Sequence, residues 1–177
     1  FGEALEARLA TLSALQRYRP ARFIGFADDA DGGLRVLRLA DVAGERLVAA
    51  RLVVAADGMR SGVRAALGIA ADEHDYEQTL VVARLRAERA PDGTAYERFG
   101  DAGPTALLPR GDRQFGLVHG VPRGEADAVL ALDDEAFLAR VQAAFGWRVG
   151  RFLSVGARSA HPALRVRAAA LVDRRAV

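Results

Sequence analysis

The sequence predicts an α+β fold, in which part of an α/β domain is followed by a mainly antiparallel lobe with flanking helices. Three observations predict it. Short segments of strand-like composition alternate with turns rich in Gly, Pro and Asp along most of the chain. One segment, 47–56, is nearly continuous in apolar residues, as in a strand buried on both faces of a parallel sheet. Two segments, 1–19 and 133–145, carry apolar residues at helical spacing.

The sequence pattern of the first part of the chain predicts a helix followed by a small β-meander. Leu5, Leu9, Leu12 and Leu15 form one apolar stripe, and Pro20 ends the helix. The residues after Pro20 alternate between strand-like and turn-like composition. The predicted strands are 22–27, 34–40 and 47–56, separated by turns at 28–33 and 43–46.

A short helix is predicted at 61–68, immediately after the apolar strand. Ser61 is suited to cap its first turn, and Gly68 is suited to the left-handed residue after its last turn. The helix is therefore bounded by signals at both ends.

The remainder of the chain predicts the antiparallel lobe. A helix at 133–145 begins near Asp133 and ends at Gly146, with Phe137, Leu138 and Val141 on one side. The segment 109–112 has the composition of a hairpin turn. The predicted strands are 78–88, 95–100, 105–108, 114–119, 148–155 and 164–171.

Composition excludes several functional classes. All 25 basic residues are Arg, but they are scattered among 23 acidic residues and the net charge is +2, so no nucleic-acid footprint is predicted. The absence of Cys excludes disulfides and thiolate metal sites. His74 lies in a polar segment, 72–75, that we interpret as a solvated loop rather than a metal site. No stretch approaches the roughly 20 apolar residues of a membrane span.

The segment around Asp57 carries the most specific chemical signal. A buried strand ends in small residues, Asp57 and Gly58 follow, and Ser61 begins a helix. Ligands of open α/β sheets bind at the carboxyl ends of strands, and helix N-termini attract phosphates. Asp57 is suited to accept from a sugar hydroxyl or to orient a neighbouring backbone, and Gly58 permits a sharp turn. Arg64 is suited to pair with Asp57 or a phosphate. The plain alternative is a simple Asp-Gly turn with a helix cap.

This segment resembles the A-D-G-x-x-S-x-x-R signature of the class A flavoprotein monooxygenases, which share the p-hydroxybenzoate hydroxylase fold. Asp57, Gly58, Ser61 and Arg64 match it position by position. Downstream strings, above all Phe-Gly-Trp-Arg at 145–148, resemble the ubiquinone-pathway hydroxylases of the 2-polyprenyl-6-methoxyphenol hydroxylase branch.

The resemblance implies an FAD- and NAD(P)H-dependent monooxygenase. It implies a partial FAD-binding domain at 1–70, a substrate-binding domain at 71–163 and a return strand at 164–177. Asp57, Gly58, Ser61 and Arg64 would bind the cofactor. The family's G-x-G-x-x-G turn does not occur in the sequence. We therefore expect an internal fragment that neither binds FAD tightly nor hydroxylates a substrate by itself.

The resemblance also implies an apolar prenylated phenol as substrate, with other ubiquinone-pathway proteins as candidate partners. Phe99, Leu107 and His119 are the candidate substrate-binding residues, and the alternative is that Phe99 and Leu107 are ordinary core residues. His119 and His161 stand where the family often has an aromatic residue, and a catalytic base remains unassigned. Arg158 is expected to pair across the interface between lobes, and 173–175 is expected to form a surface turn.

We expect a cytoplasmic location, with peripheral association at the inner membrane as an extension of it. Two alternatives to the polyprenyl phenol hydroxylase stay open. One is a related flavin hydroxylase acting on another aromatic compound. The other is a non-catalytic module that binds an apolar ligand or a partner protein.

Overall fold

The computed structural model describes residues 2–28, 33–111 and 113–177, and it confirms the α+β class. The chain divides into two compact units, each described by itself. Unit 1 consists of residues 1–72 and 166–177, and unit 2 consists of residues 73–165. No helix among the described residues is long and apolar enough to cross a membrane.

Unit 1 is built around a three-stranded antiparallel meander, as predicted. Neighbouring strands follow each other in sequence, in the order β1-β2-β3. Its elements are α1 (Gly2–Leu9), β1 (Arg22–Ala27), β2 (Arg35–Asp41), β3 (Gly44–Ala50) and α2 (Gly62–Ala66).

The hairpin between β2 and β3 turns one residue earlier than predicted. Asp41 pairs directly with Gly44, so Val42 and Ala43 form the loop. The carboxylate of Asp41 accepts the backbone N–H of Ala43 at 2.7 Å, which favours a tight turn at this position. The turn predicted at 28–33 lies largely outside the described residues.

The predicted N-terminal helix is too long, because α1 ends at Leu9 rather than near Pro20. The N–H groups of Thr11, Leu12 and Leu15 bond to carbonyls three residues back, and the Thr11 hydroxyl donates to the Arg8 carbonyl at 2.8 Å. Side-chain bonds of this kind compete with helical ones. Leu5, Leu12 and Leu15 of the predicted stripe also lie exposed, so burial does not extend the helix.

The predicted strand at 47–56 is wrong as a single buried strand. β3 ends at Ala50 and is antiparallel, and Leu47 on it is 62% exposed. The chain then bends, and Val53 forms an isolated parallel pairing with Ala176. The Val53 N–H donates to the Arg175 carbonyl, and the Val177 N–H donates back to Val53, both at 2.9 Å. The parallel pairing that precedes Asp57 is therefore made by the last residues of the sequence.

Unit 2 is a mainly antiparallel sheet with helices on one face, and its strands follow the order β5-β6-β7-β4-β8, with β9 also paired to β4. β4 begins earlier than predicted, so residues 72–75 lie in a strand and the predicted polar loop is wrong. The first part of β4 and the end of β9 belong to unit 1. The strands are β4 (Ala71–Ala87), β5 (Tyr96–Gly100), β6 (Gly103–Pro109), β7 (Phe115–Pro122), β8 (Phe152–Val155) and β9 (Ser159–Ala168).

Two helices accompany this sheet, and one was missed. α4 (Asp134–Phe145) confirms the prediction, with the Asp133 carboxylate accepting the Ala136 N–H at 2.8 Å and Gly146 following the helix. A 3-10 turn at Arg123–Glu125 and a helix α3 (Ala126–Ala131) precede it. They are too short for a helical periodicity to be recognised in the sequence.

The core of unit 2 lies between α4 and one face of the sheet. Alternate residues of each strand point to this face, and the helix contributes Phe137, Val141 and Phe145. The hairpin that joins β6 to β7 is closed by the Arg110 N–H, which donates to the Gln114 carbonyl at 2.9 Å. Asp112 of the predicted turn lies outside the described residues.

Candidate functional site

The Asp57 turn lies directly after the parallel pairing at the edge of unit 1. The Ala55 N–H donates to the Val177 carbonyl at 2.6 Å, and the chain then reverses direction at Gly58. Gly58 has a φ of +79°, a conformation that side chains disfavour. A Cβ atom there would meet no neighbour within 4 Å, so the backbone conformation alone explains the glycine.

Asp57 organises this turn as a charged acceptor. Its Oδ2 atom accepts the backbone N–H of Val63 at 3.1 Å. Partial burial alone would raise the pKa of Asp57, but hydrogen bonds from the Ser61 side chain and from backbone N–H groups outweigh it and hold the pKa below its usual value. The carboxylate is therefore ionised at neutral pH, beside the start of α2.

Ser61 and Arg64 brace the same turn, although not in the way predicted for Arg64. The Ser61 hydroxyl caps α2 by accepting the Arg64 N–H at 3.0 Å. The Arg64 guanidinium donates to the Met59 carbonyl at 2.9 Å and forms no ion pair with Asp57. Arg64 therefore does not pair with Asp57, one of the two partners predicted for it, because Asp57 is bonded to groups at the start of the helix. Pairing of Arg64 with a phosphate stays a prediction.

A pocket of about 300 Å³ opens beside these four residues, entirely within unit 1. Asp57, Gly58, Ser61 and Arg64 all line it, so the structure brings the predicted cofactor-binding residues together. An ionised carboxylate and a guanidinium next to small apolar groups fit the sugar and chain portions of a dinucleotide. This volume is at the small end for a ligand site, so it fits part of FAD rather than the whole molecule. The opposite wall consists of Ala168, Ala170, Leu171, Ala176 and Val177.

The residues predicted to bind substrate are not brought together. Tyr96 pairs with Leu107, and Thr105 with His119, so Leu107 and His119 share the helix-covered face of the sheet. Phe99 lies three residues beyond Tyr96 and therefore points to the opposite, open face, where it is 77% exposed. Leu107 is fully buried. It is therefore a core residue, which was the alternative to substrate binding in the sequence analysis.

His119 is also buried, and its environment keeps it neutral. Its Nδ1 atom lies 2.9 Å from the Thr105 hydroxyl, and its Nε2 atom has no hydrogen-bond partner. Desolvation, with a smaller contribution from Arg140, lowers the pKa of His119 to about 4. A histidine enclosed in this core presents no surface to a substrate.

The other residues singled out in the sequence have structural roles or lie exposed. Arg158 stacks on Phe137 and bonds to the Leu132 carbonyl and to Asp134, all within unit 2, so the predicted pairing between lobes is wrong. His74 lies exposed against the edge of Tyr76. Among the described residues no group of carboxylates and histidines is arranged to hold a metal ion. The expected turn at 173–175 is present between the paired residues Asp173 and Ala176.

Two features of the sites were missed from the sequence. Ala176 and Val177 form one wall of the Asp57 pocket, and only chain pairing brings them there. Gln142 looks like an ordinary polar position of a helix, yet its side chain makes three hydrogen bonds to the backbone at 146–152. The position of a glutamine on the apolar side of the predicted helix was the sequence feature that could have indicated this role.

Comparisons with known proteins agree with the flavoprotein resemblance. Residues 3–167 match the family model described as "FAD binding domain". A ubiquinone hydroxylase, UbiL of Rhodospirillum rubrum, is 36% identical over 156 residues, which is 88% of this chain and 35% of that protein. The human mitochondrial ubiquinone biosynthesis monooxygenase COQ6 is 38% identical over 96 residues, 54% of this chain and 20% of that protein. The chain thus spans about a third or less of these relatives.

Solved structures show the same fold at low identity. The p-nitrophenol 4-monooxygenase PnpA from Pseudomonas putida aligns with 99% of this chain and 44% of its own, with a TM-score of 0.72 and 15% identity. An aklavinone-11 hydroxylase, solved with FAD and aklavinone, aligns with 88% of this chain and 30% of its own, with a TM-score of 0.62 and 20% identity.

Proposed function

Because the chain belongs to the FAD binding domain family, we propose that it works as part of an FAD-dependent aromatic hydroxylase of ubiquinone biosynthesis. The names of its relatives support this pathway. The observation on which the proposal rests is the Asp57 turn, where an ionised carboxylate, a capped helix and a guanidinium surround one pocket.

In this proposal Asp57, Gly58, Ser61 and Arg64 hold part of the cofactor. Asp57 has a second carboxylate oxygen beyond its bond to Val63, and it is suited to accept from a hydroxyl of the cofactor. Ser61 and Arg64 hold the turn in place, and Gly58 supplies its conformation. When bound, FAD supplies the oxygen-transfer chemistry, and the protein supplies orientation and exclusion of water.

The remaining assignments follow from the proposed class. Residues 1–70 and 164–177 contribute to cofactor binding, and 71–163 to substrate binding. NAD(P)H is the proposed reductant and 2-polyprenyl-6-methoxyphenol the proposed substrate. Phe99, on the open face of the unit 2 sheet, is the proposed substrate contact among the three residues predicted. The proposed location is cytoplasmic and peripheral at the inner membrane, with other ubiquinone-pathway proteins as partners.

A deletion strain tests the pathway and the substrate. Under air, loss of the gene should abolish ubiquinone and cause 2-polyprenyl-6-methoxyphenol to accumulate, as measured by mass spectrometry of lipid extracts. Accumulation of a later intermediate would instead favour a related hydroxylase acting at another ring position. Unchanged ubiquinone would contradict the pathway assignment and favour a non-catalytic binding module.

Flavin titration tests the cofactor site. We expect the 177-residue chain alone to bind FAD weakly, because its sequence contains no G-x-G-x-x-G turn, and micromolar or tighter binding by fluorescence would refute this. In the full-length protein, Asp57→Asn should weaken FAD binding by about tenfold, because a hydrogen bond to a charged group is lost. Asp92→Asn is a matched control, since Asp92 caps a loop of unit 2 by accepting the Thr94 N–H.

A further inference from the structure

The loop that follows α4 presents an exposed tryptophan on a tightly held backbone. Trp147 is 67% exposed, although Phe145 and Val149 on either side of it are buried. It is also the single tryptophan in the sequence. We refer to residues 146–151 as the Trp147 loop.

Hydrogen bonds from two sides hold the Trp147 loop, and the first side is α4. The Gln142 amide donates to the carbonyls of Gly146 and Gly150, at 2.6 and 3.2 Å, and accepts the Phe152 N–H at 2.7 Å.

The strand β4 and the residues after it hold the loop from another side. The Arg89 N–H donates to the Val149 carbonyl at 3.1 Å, and the Glu88 carboxylate accepts the Arg151 N–H at 2.9 Å. The loop is thus fixed at both ends while its largest side chain faces outward. A fixed loop loses little further conformational freedom when its exposed side chain is buried by a partner.

The surface beside Trp147 is apolar. A groove of about 760 Å³ runs along α4, lined in part by Trp147, Leu138, Ala143 and Leu153. Leu153 is 48% exposed and lines the same groove as Trp147, so the two exposed apolar side chains share one surface.

Three arginines lie at the tryptophan end of this groove. Arg148 and Arg151 belong to the loop and are exposed, and Arg89 bonds to the Arg148 carbonyl beside them at 3.2 Å. The acidic residues of the groove, Asp134 and Glu135, lie in the first turn of α4, about 18 Å away along the helix axis. The Glu88 carboxylate, which accepts the Arg151 N–H, lies at the same end. Arg89, Arg148 and Arg151 outnumber it, so the end that carries Trp147 has a net positive charge.

An exposed tryptophan in a loop that also carries two exposed arginines matches the chemistry of a bilayer surface. Tryptophan favours the membrane–water interface, where its ring is apolar and its N–H stays hydrated. Arginine stems cover apolar surface while their charges reach anionic headgroups.

From this juxtaposition we propose that the Trp147 loop, with Leu153 and the flanking arginines, docks unit 2 onto an anionic lipid surface. The proposal deepens the peripheral membrane location proposed above and rests on it. It does not depend on the identity of the aromatic substrate.

Vesicle binding by the full-length protein tests the proposal. The probes are vesicles of phosphatidylcholine alone and of phosphatidylcholine mixed with phosphatidylglycerol, separated by flotation. We expect binding to the anionic vesicles, weakened by salt because the headgroup attraction is screened. Trp147→Ser should weaken binding by about tenfold, and Arg148→Glu with Arg151→Glu should weaken it by at least about tenfold.

The controls separate surface chemistry from folding. Val42→Ser removes another exposed apolar side chain, in unit 1, and Arg51→Glu reverses another exposed charge. Both should bind vesicles as the unmodified protein does. All variants should retain the circular dichroism and melting temperature of the unmodified protein, since none alters a buried side chain. In the 177-residue chain, emission from the single tryptophan should shift to shorter wavelength on addition of anionic vesicles.

Several outcomes would overturn the proposal. If the protein binds vesicles and the Trp147 and arginine variants bind equally well, the peripheral location stands and this surface is wrong. If the unmodified protein does not bind vesicles, the peripheral location and this docking surface are both wrong. Hydroxylation of detergent-dissolved substrate still tests the proposed activity separately. If Trp147→Ser instead converts a dimer to a monomer in light scattering and leaves vesicle binding unchanged, the occupant is a second copy of the chain.

Discussion

Unit 2 encloses a hydrophobic cluster of fifteen buried residues, whereas unit 1 buries only Val53, Val63 and Ala176 among its described apolar residues. Burial of apolar surface is the main favourable term in folding, so unit 2 has its own source of stability. Unit 1 relies on the meander's backbone bonds and on exposed ion pairs such as Arg38–Glu45, which contribute little.

The main hydrophobic core and the candidate cofactor site therefore lie in different units of the chain. The Asp57 turn is organised by short-range hydrogen bonds to residues at most six positions away. The Trp147 loop is held by contacts that include partners about 60 residues away. We therefore expect unit 1 to open locally at lower free energy than unit 2.

The largest expected effect is a cavity in the core of unit 2. Phe137→Ala should lower the free energy of unfolding by about 3–5 kcal/mol, because Phe137 is fully buried and carries the Arg158 guanidinium 4.4 Å above its ring. Urea denaturation measures it. Val42→Ser, at a position 93% exposed, should change stability by less than about 0.5 kcal/mol. Similar losses for both variants would contradict the placement of the core.

A smaller loss is expected when the support of the Trp147 loop is removed. Gln142→Leu should cost about 2–4 kcal/mol, since two carbonyls and one N–H lose their partner. Gln16→Leu is the control, because Gln16 is exposed and lies outside any helix or strand. If hydrogen exchange at 146–152 is unchanged in Gln142→Leu, the loop is held by other contacts.

His119 should make stability depend on pH, chiefly through unit 2. The pKa of His119 is about 4 in the folded state and about 6.5 in the unfolded state. Above pH 6.5 His119 is neutral in both states, so the fold keeps its full stability there. This stability falls as the pH drops from 6.5 towards 4, by about 2–3 kcal/mol in total. His119→Gln should flatten this dependence in urea unfolding measured between pH 7.5 and 4.5. An unchanged pH profile would show that other groups dominate it.

The smallest effects compare two helix caps of the same kind. Ser61 caps α2 in unit 1 at 3.0 Å, and Asp133 caps α4 in unit 2 at 2.8 Å. Ser61→Ala and Asp133→Ala should each cost about 1 kcal/mol locally. Hydrogen exchange should show faster opening confined to unit 1 for Ser61→Ala. Equal effects across both units would show that the two unfold together, contrary to the difference in their cores.

Much of the fold was predictable because its signals are local. The meander, most strands of unit 2 and the helix from Asp134 to Phe145 follow from alternation, turn residues and caps. The strands predicted at 148–155 and 164–171 were misplaced, since the structure has them at Phe152–Val155 and Ser159–Ala168. The predicted N-terminal helix failed because a leucine stripe lengthens a helix only where a core covers it. The apolar run at 47–56 failed because composition does not reveal that the chain bends at Arg51 between two different pairings.

The candidate site was predictable to a different extent in each unit. In unit 1 all four candidate cofactor residues lie within eight positions, so their sequence spacing already places them on one turn. In unit 2 the three substrate candidates lie on different strands, and which face each side chain takes depends on register. Register placed Leu107 and His119 in the core and left Phe99 exposed.

The sequence by itself determined the α+β class, the helix caps and the Asp-Gly turn, because each depends on residues only a few positions apart. Only the tertiary structure decided that Ala176 and Val177 close the pocket beside Asp57, and that Gln142 holds Trp147 outward. The first arises from pairing between distant segments, and the second from hydrogen bonds to the loop and strand after the helix, whose path depends on Glu88 and Arg89 about 60 residues earlier. Such pairing is selected by the burial and hydrogen bonding of the whole fold, which no local pattern contains.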